Sequence, residues 1–230
     1  DVVMLHLGEE QYPQDYLDKV AVELREQVEK MDCNLIGSYK IMCFADAERA
    51  VEALKGKQVD LFIVNFLSWH ITPYVMHLLK NYRETPLLVW GIGGTTDGTG
   101  KLHSPAAAAG VTGFMPIIKE FGFKYKLILT KPDSDHAFDQ VADYIHSVSC
   151  AKTIRASRIG LIGYADMGLY PLSYDKKGLF NKLGIDIEDY SGYEIAGLME
   201  MFSEEKVRET MEWIRATTKA ENTITDQALE

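Results

Sequence analysis

The chain has 230 residues, 47% hydrophobic and 25% charged, which is enough apolar material for a full core and more length than one typical domain needs. Its 24 Lys plus Arg against 34 Asp plus Glu leave a net charge of −10, which excludes a broad nucleic-acid surface built on clustered cations. Cys33, Cys43 and Cys150 lack metal spacing and argue against a disulfide framework, the first residues are no signal peptide, and no run approaches the roughly 20 apolar residues of a membrane span, so a cytoplasmic protein without nucleic-acid or membrane partners is expected.

Residues 1–7 read as a first strand. Residues 14–31 form an amphipathic helix with Leu17, Val20, Ala21, Leu24 and Val28 on one stripe. A second strand covers 35–43 and a helix covers 45–54, with Asp46 as its candidate N-cap. The third strand, 59–66, is a continuous apolar run that breaks into Ser68, Trp69, His70 and Thr72 where a strand should end. Pro73 then opens a helix over 73–82, a position where its missing N–H costs nothing. A fourth strand at 87–90 runs into Gly91-Ile92-Gly93-Gly94. A helix opens within 104–110, short segments such as 126–130 follow, and a long helix spans 135–153.

Apolar runs without alternation indicate strands buried on both faces, and strands alternating with helices indicate a parallel sheet. Ligands of such sheets sit beyond the carboxyl ends of the strands. The predicted fold is therefore α/β, with one domain over 1–154 and the beginning of a second α/β domain over 155–230. In the second, RIGLIG over 158–163 is a strand entering the turn Tyr164-Ala165-Asp166-Met167-Gly168. A helix at 179–183, a strand at 185–190 and helices at 193–201 and 204–218 follow, the last capped by Ser203. The remaining length is short for a complete domain, and the tail reads as the start of another helix. A piece of a longer protein is the resulting expectation.

Several site readings fail on spacing. Gly91–Gly94 lacks the G-x-G-x-x-G pattern and its position after the first strand, so it reads as a loop and a dinucleotide site is rejected. There is no P-loop, no G-x-S-x-G elbow and no H-E-x-x-H. His6 reads as a core histidine satisfied by a backbone group. His70 and His77 make a poor metal pair, and His103, His136 and His146 have no clustered partners. Trp69-His70 stands apart. An aromatic plate beside a hydrogen-bonding ring, at a strand end and before a helix, suits the C–H face and hydroxyls of a sugar.

Four segments in order resemble the N-terminal half of the L-fucose isomerase and L-arabinose isomerase superfamily. They are Gly8-Glu9-Glu10-Gln11-Tyr12, Leu67-Ser68-Trp69-His70-Ile71-Thr72-Pro73, Thr85-Pro86-Leu87-Leu88 and Ile162-Gly163-Tyr164-Ala165-Asp166-Met167. The resemblance implies a Rossmann-like N-terminal domain, then a second α/β domain, in an oligomeric enzyme that interconverts an aldose and a ketose through an enediol. It implies Mn²⁺, with ligands outside residues 1–230, so no catalytic or metal residue is assigned in this chain and the chain alone is expected to be inactive. It implies sugar contacts from Gln11, Tyr12, Trp69, His70 and Thr72, made to a neighbouring subunit's site, and from Met167. The alternative is a non-enzymatic sugar-binding module similar to the periplasmic binding proteins, for which Trp69 would serve equally well.

Overall fold

The computed structural model describes residues 1–96, 102, 103, 105–130, 135–163, 173–218 and 225. The chain divides into two compact units, Asp1–Lys152 and Thr153–Glu230.

The first unit is a five-stranded parallel sheet between helices. Its strands are β1 (Val2–Leu7), β2 (Leu35–Ile41), β3 (Leu61–Phe66), β4 (Leu87–Ile92) and, after the two-residue strands β5 (Thr95–Thr96) and β6 (Leu102–His103), β7 (Tyr125–Thr130). The order across the sheet is β2-β1-β3-β4-β7. Every residue of β1, β3 and β4 is buried, which is why these strands read as unbroken apolar runs.

One sheet face is covered by α1 (Gln14–Val28) and α5 (Asp135–Arg155). The other is covered by α2 (Phe44–Leu54), α3 (Thr72–Leu79) and α4 (Ala107–Glu120). The amphipathic stripe of α1 packs as its spacing predicts: Leu17, Val20, Leu24 and Val28 meet Met4, Ile63, Leu88 and Trp90 of the sheet. On the opposite face Ala47, Ala50 and Leu54 of α2, Val75 and Leu78 of α3, and Phe114 of α4 pack on Leu5, Phe62, Val64 and Val89. This is the Rossmann-like α/β architecture, with strand order reversing between β1 and β3.

The structure differs from the sequence reading at three points. Helix α2 begins at Phe44 with Cys43 as its N-cap, and Asp46 sits three residues inside, its carboxylate accepting from the backbone N–H of Cys43 at 3.1 Å and of Met42 at 2.8 Å. Segment 126–130 is a full sheet strand rather than an isolated piece. Gly91 and Ile92 belong to β4 rather than to a loop, and Thr95–Thr96 pairs with Leu102–His103 as the antiparallel β5–β6.

The second unit pairs β8 (Arg158–Ile162) with β9 (Asp186–Tyr190) in parallel, with α6 (Lys176–Leu183), α7 (Gly192–Met199) and α8 (Glu204–Thr217). Its helix ends are well specified. Asp175 caps α6 through the Gly178 N–H at 2.9 Å, Ser191 and Glu194 form a capping box on α7, and Ser203 caps α8. No described residue of this unit is buried.

Candidate functional site

In a doubly wound sheet the place where strand order reverses leaves a crevice beyond the carboxyl ends of two adjacent strands. Here those strands are β1 and β3. The chain leaving β1 is Gly8 to Pro13, and the chain leaving β3 is Leu67 to Ile71. Four of the six proposed sugar residues, Gln11, Tyr12, Trp69 and His70, lie in these two loops, and Thr72 is the first residue of α3. Met167 lies outside the described residues.

The two loops are tied together atom by atom. The backbone N–H of Leu67 donates to the Leu7 carbonyl at 2.9 Å. The Ser68 hydroxyl accepts from the Glu9 N–H at 3.1 Å and donates to the Trp69 carbonyl at 3.0 Å. His70 Nδ1 donates to the Gly8 carbonyl at 3.2 Å. A third segment braces the loop from the other side, the Trp69 N–H donating to the Pro105 carbonyl at 2.8 Å. Gly110 of α4 allows that approach, because a Cβ there would stand 3.2 Å from the Ser68 carbonyl oxygen and 3.0 Å from the Phe66 ring.

This scaffold leaves Trp69 42% exposed with its backbone pinned at both N–H and C=O. An exposed indole on a fixed backbone is a preorganised stacking surface. His70 beside it is buried, its ring edge-on to Phe66 at 6.3 Å and to Tyr74 at 5.8 Å between centroids. Burial holds its pKa down at about 4, against the upward pull of the Gly8 carbonyl. The ring is therefore neutral at pH 7, and with Nδ1 donating, Nε2 carries a lone pair. That lone pair is buried and has no hydrogen-bond partner among the described residues.

Gln11 and Tyr12 behave differently from one another. Gln11 is exposed, and its amide donates to the Glu9 carboxylate at 2.6 Å. Tyr12 is half-buried, its ring against the apolar layer under α1. The loop around them is closed by Gln14, whose amide donates to the Glu9 and Tyr12 carbonyls at 3.0 and 2.7 Å. Thr72 is half-exposed at the start of α3. The structure thus brings the β1 and β3 loops together through Gly8, Glu9, Ser68 and His70. Pro105 and Gly110 were not singled out from sequence, and Ser68 was named at the strand end without a role. Ser68 had one signal, a hydroxyl in an otherwise apolar run.

A second buried polar group lies in the sheet itself. His6 Nε2 donates to the Ser38 hydroxyl at 2.9 Å, and the Asn65 amide donates to His6 Nδ1 at 3.4 Å. Side chains, not a backbone group, satisfy this histidine. Burial first, then the charges of Arg25 and Lys40, hold its pKa down at about 4. His77 stands apart from His70 and meets the Phe44 ring edge-on at 5.9 Å, while His146 lies 3.4 Å from the Cys150 sulfur.

Among the described residues, no group of three or more His, Cys, Asp or Glu side chains could hold a metal ion. At the switch point the His70 ring lies against the Phe66 and Tyr74 rings, and among the described residues no group of potential ligands surrounds it. The described residues of this site do not fit Mn²⁺. Among the described residues, no helix is long and apolar enough to cross a membrane. In comparisons with known proteins, no family model matches the chain, and no curated protein matches it.

Proposed function

We propose that the Asp1–Lys152 unit binds a monosaccharide at the β1/β3 switch point, as the sugar-contacting portion of an aldose–ketose isomerase of the L-fucose and L-arabinose isomerase kind. The observation that carries this reading is Trp69: an exposed indole whose backbone is fixed by Pro105 and Ser68, beyond the carboxyl end of β3. Its face takes the C–H face of a pyranose, while the Thr72 hydroxyl and the Gln11 amide supply hydrogen bonds to sugar hydroxyls. His70 is a positioning residue, holding the β3 loop to Gly8 and so setting the height of the indole. Tyr12 and Met167 complete the set of proposed contacts. The oligomer belongs to the same proposal, as does Mn²⁺ held by ligands outside these residues.

One observation favours a second reading, a sugar-binding module without chemistry. The groups at the switch point stack and hydrogen-bond, and the one imidazole among them is held neutral with Nδ1 already engaged. Calorimetric titration with L-fucose, L-arabinose and D-arabinose tests what the two readings share. A sub-millimolar dissociation constant is expected for at least one sugar. Trp69→Ala should weaken it about tenfold, the worth of a stacked ring. Absence of saturable binding, or an unaltered constant in Trp69→Ala, would remove the reading. Ketose formation from a bound aldose by the complete gene product with Mn²⁺ separates isomerase from binding module.

A further inference from the structure

A groove runs along the outer face of α3, away from the sheet, from Pro73 to Arg83. It encloses about 430 Å³. Its apolar walls are Phe44, Met76, Phe121 and Phe123, and two cations, Lys80 and Arg83, stand in its lining with no carboxylate among the lining residues. Phe44 and Phe121 are 48% and 49% exposed, so two rings face solvent in one place.

The groove joins charge to an apolar wall. The chain carries −10 overall, and in this unit Lys19, Arg25, Lys40, Arg49, Lys55 and Lys152 each pair with a carboxylate. Lys80 and Arg83, like Lys30, Lys57, Lys119, Lys124 and Lys126, have no carboxylate partner among the described residues, and they are set apart by standing together in one apolar lining. Lys80 Nζ donates to His77 Nδ1 at 3.4 Å. The Arg83 guanidinium lies over the Phe121 ring, 5.2 Å from its centroid, and donates to the Phe121 carbonyl at 3.1 Å. These contacts hold two positive charges at an aromatic wall while leaving most of their N–H groups unused. An apolar groove whose two cations have no carboxylate partner among the described residues suits a ligand with an apolar body and one anionic end.

We propose that this groove binds a small amphipathic carboxylate, its aryl or alkyl body between Phe44, Met76 and Phe121 and its carboxylate on Lys80 and Arg83. The volume suits a ligand of small-molecule size. A carboxylate is planar and takes Arg in a two-pronged contact, which an alcohol cannot.

Calorimetric titration of the intact chain with 4-phenylbutyrate tests this. One saturable site is expected, with binding that weakens as salt is added. The neutral analogue 4-phenylbutanol should bind about tenfold more weakly, and Lys80→Gln/Arg83→Gln should lose about tenfold, the worth of a charge-assisted contact. Arg83 also ties the 121 turn, so Lys80→Gln alone is measured beside it, with an unchanged melting temperature and a several-fold loss expected. Trp69→Ala should leave 4-phenylbutyrate binding unaltered, which keeps this test separate from the sugar site. No saturable binding at millimolar ligand, equal binding of acid and alcohol, or indifference to both cation variants would each overturn the proposal.

Discussion

His6 and His70 are buried in the first unit, and burial depresses both pKa values to about 4 from an ordinary 6.5. Each ring binds a proton more readily in the unfolded chain than in the folded one. Stability from these groups is therefore complete above pH 6.5 and is lost as pH falls through 6.5 towards 4, by about 3 kcal/mol for each ring. His70→Asn keeps a donor for the Gly8 carbonyl and removes the titration. Chemical denaturation at pH 7.5 and pH 4.5 should show the wild type losing more stability than His70→Asn, and equal losses would contradict the assignment. The position of Trp69 and His70 just beyond a strand end was legible in the sequence, because the apolar run breaks there. Their bracing was not. Ser68, Pro105 and Gly110 act through backbone atoms and close approach, and nothing in residue type announces a carbonyl that will accept from an N–H 36 residues away, as the Pro105 carbonyl does from Trp69. His6 was read as a core residue, which holds, but its partners Ser38 and Asn65 are brought by neighbouring strands that only pairing could reveal.

At the scale of elements, periodicity carried furthest where a stripe meets a flat sheet. The α1 spacing predicts its buried face, and the unbroken strands predict central positions. Helix starts were less legible. Asp46 is a good cap by type, yet Cys43 occupies the cap and Asp46 closes a capping box from inside. Strand β7 was hard to recognise because it lies at the sheet edge and only Ile128 of its six residues is buried. Helix α4 supplies a test of how the site is supported. Gly110→Ala gains up to about 1 kcal/mol of helix propensity, but the new Cβ would stand 3.0 Å from the Phe66 ring and 3.2 Å from the Ser68 carbonyl oxygen. Overpacking costs about 1–3 kcal/mol, so the net effect is destabilising. Because Ser68 is part of the loop bearing Trp69, sugar affinity should fall as well. A more stable Gly110→Ala protein with unchanged sugar binding would show that α4 does not brace the site.

Over the whole molecule, the two units differ in kind. The first has an apolar layer on each face of a five-stranded sheet. The second has well-capped helices and a parallel strand pair, yet its apolar side chains are displayed: Tyr193 is 94% exposed, Met201 79% and Ile162 69%. Capping residues define where helices begin, but burial supplies most of the stability of a fold. A chain ending at Arg155, which keeps α5 whole, should therefore unfold in one cooperative transition, while residues 153–230 alone should show none. Cooperative melting of the isolated second unit would contradict this. Strand and helix signals restart in the sequence after the long α5, and the chain divides into compact units at Lys152. The exposure of the described apolar residues of the second unit was not legible, since its sequence is apolar enough for burial. The central claim, sugar binding at the β1/β3 switch point, is tested most directly by the indole N–H resonances in an NMR titration with the sugar panel. The Trp69 signal, identified by its loss in Trp69→Ala, should shift and saturate. The Trp90 signal, whose N–H donates to the Thr130 hydroxyl at 2.8 Å inside the core, should stay in place. A Trp69 signal that does not move at saturating sugar would contradict the account.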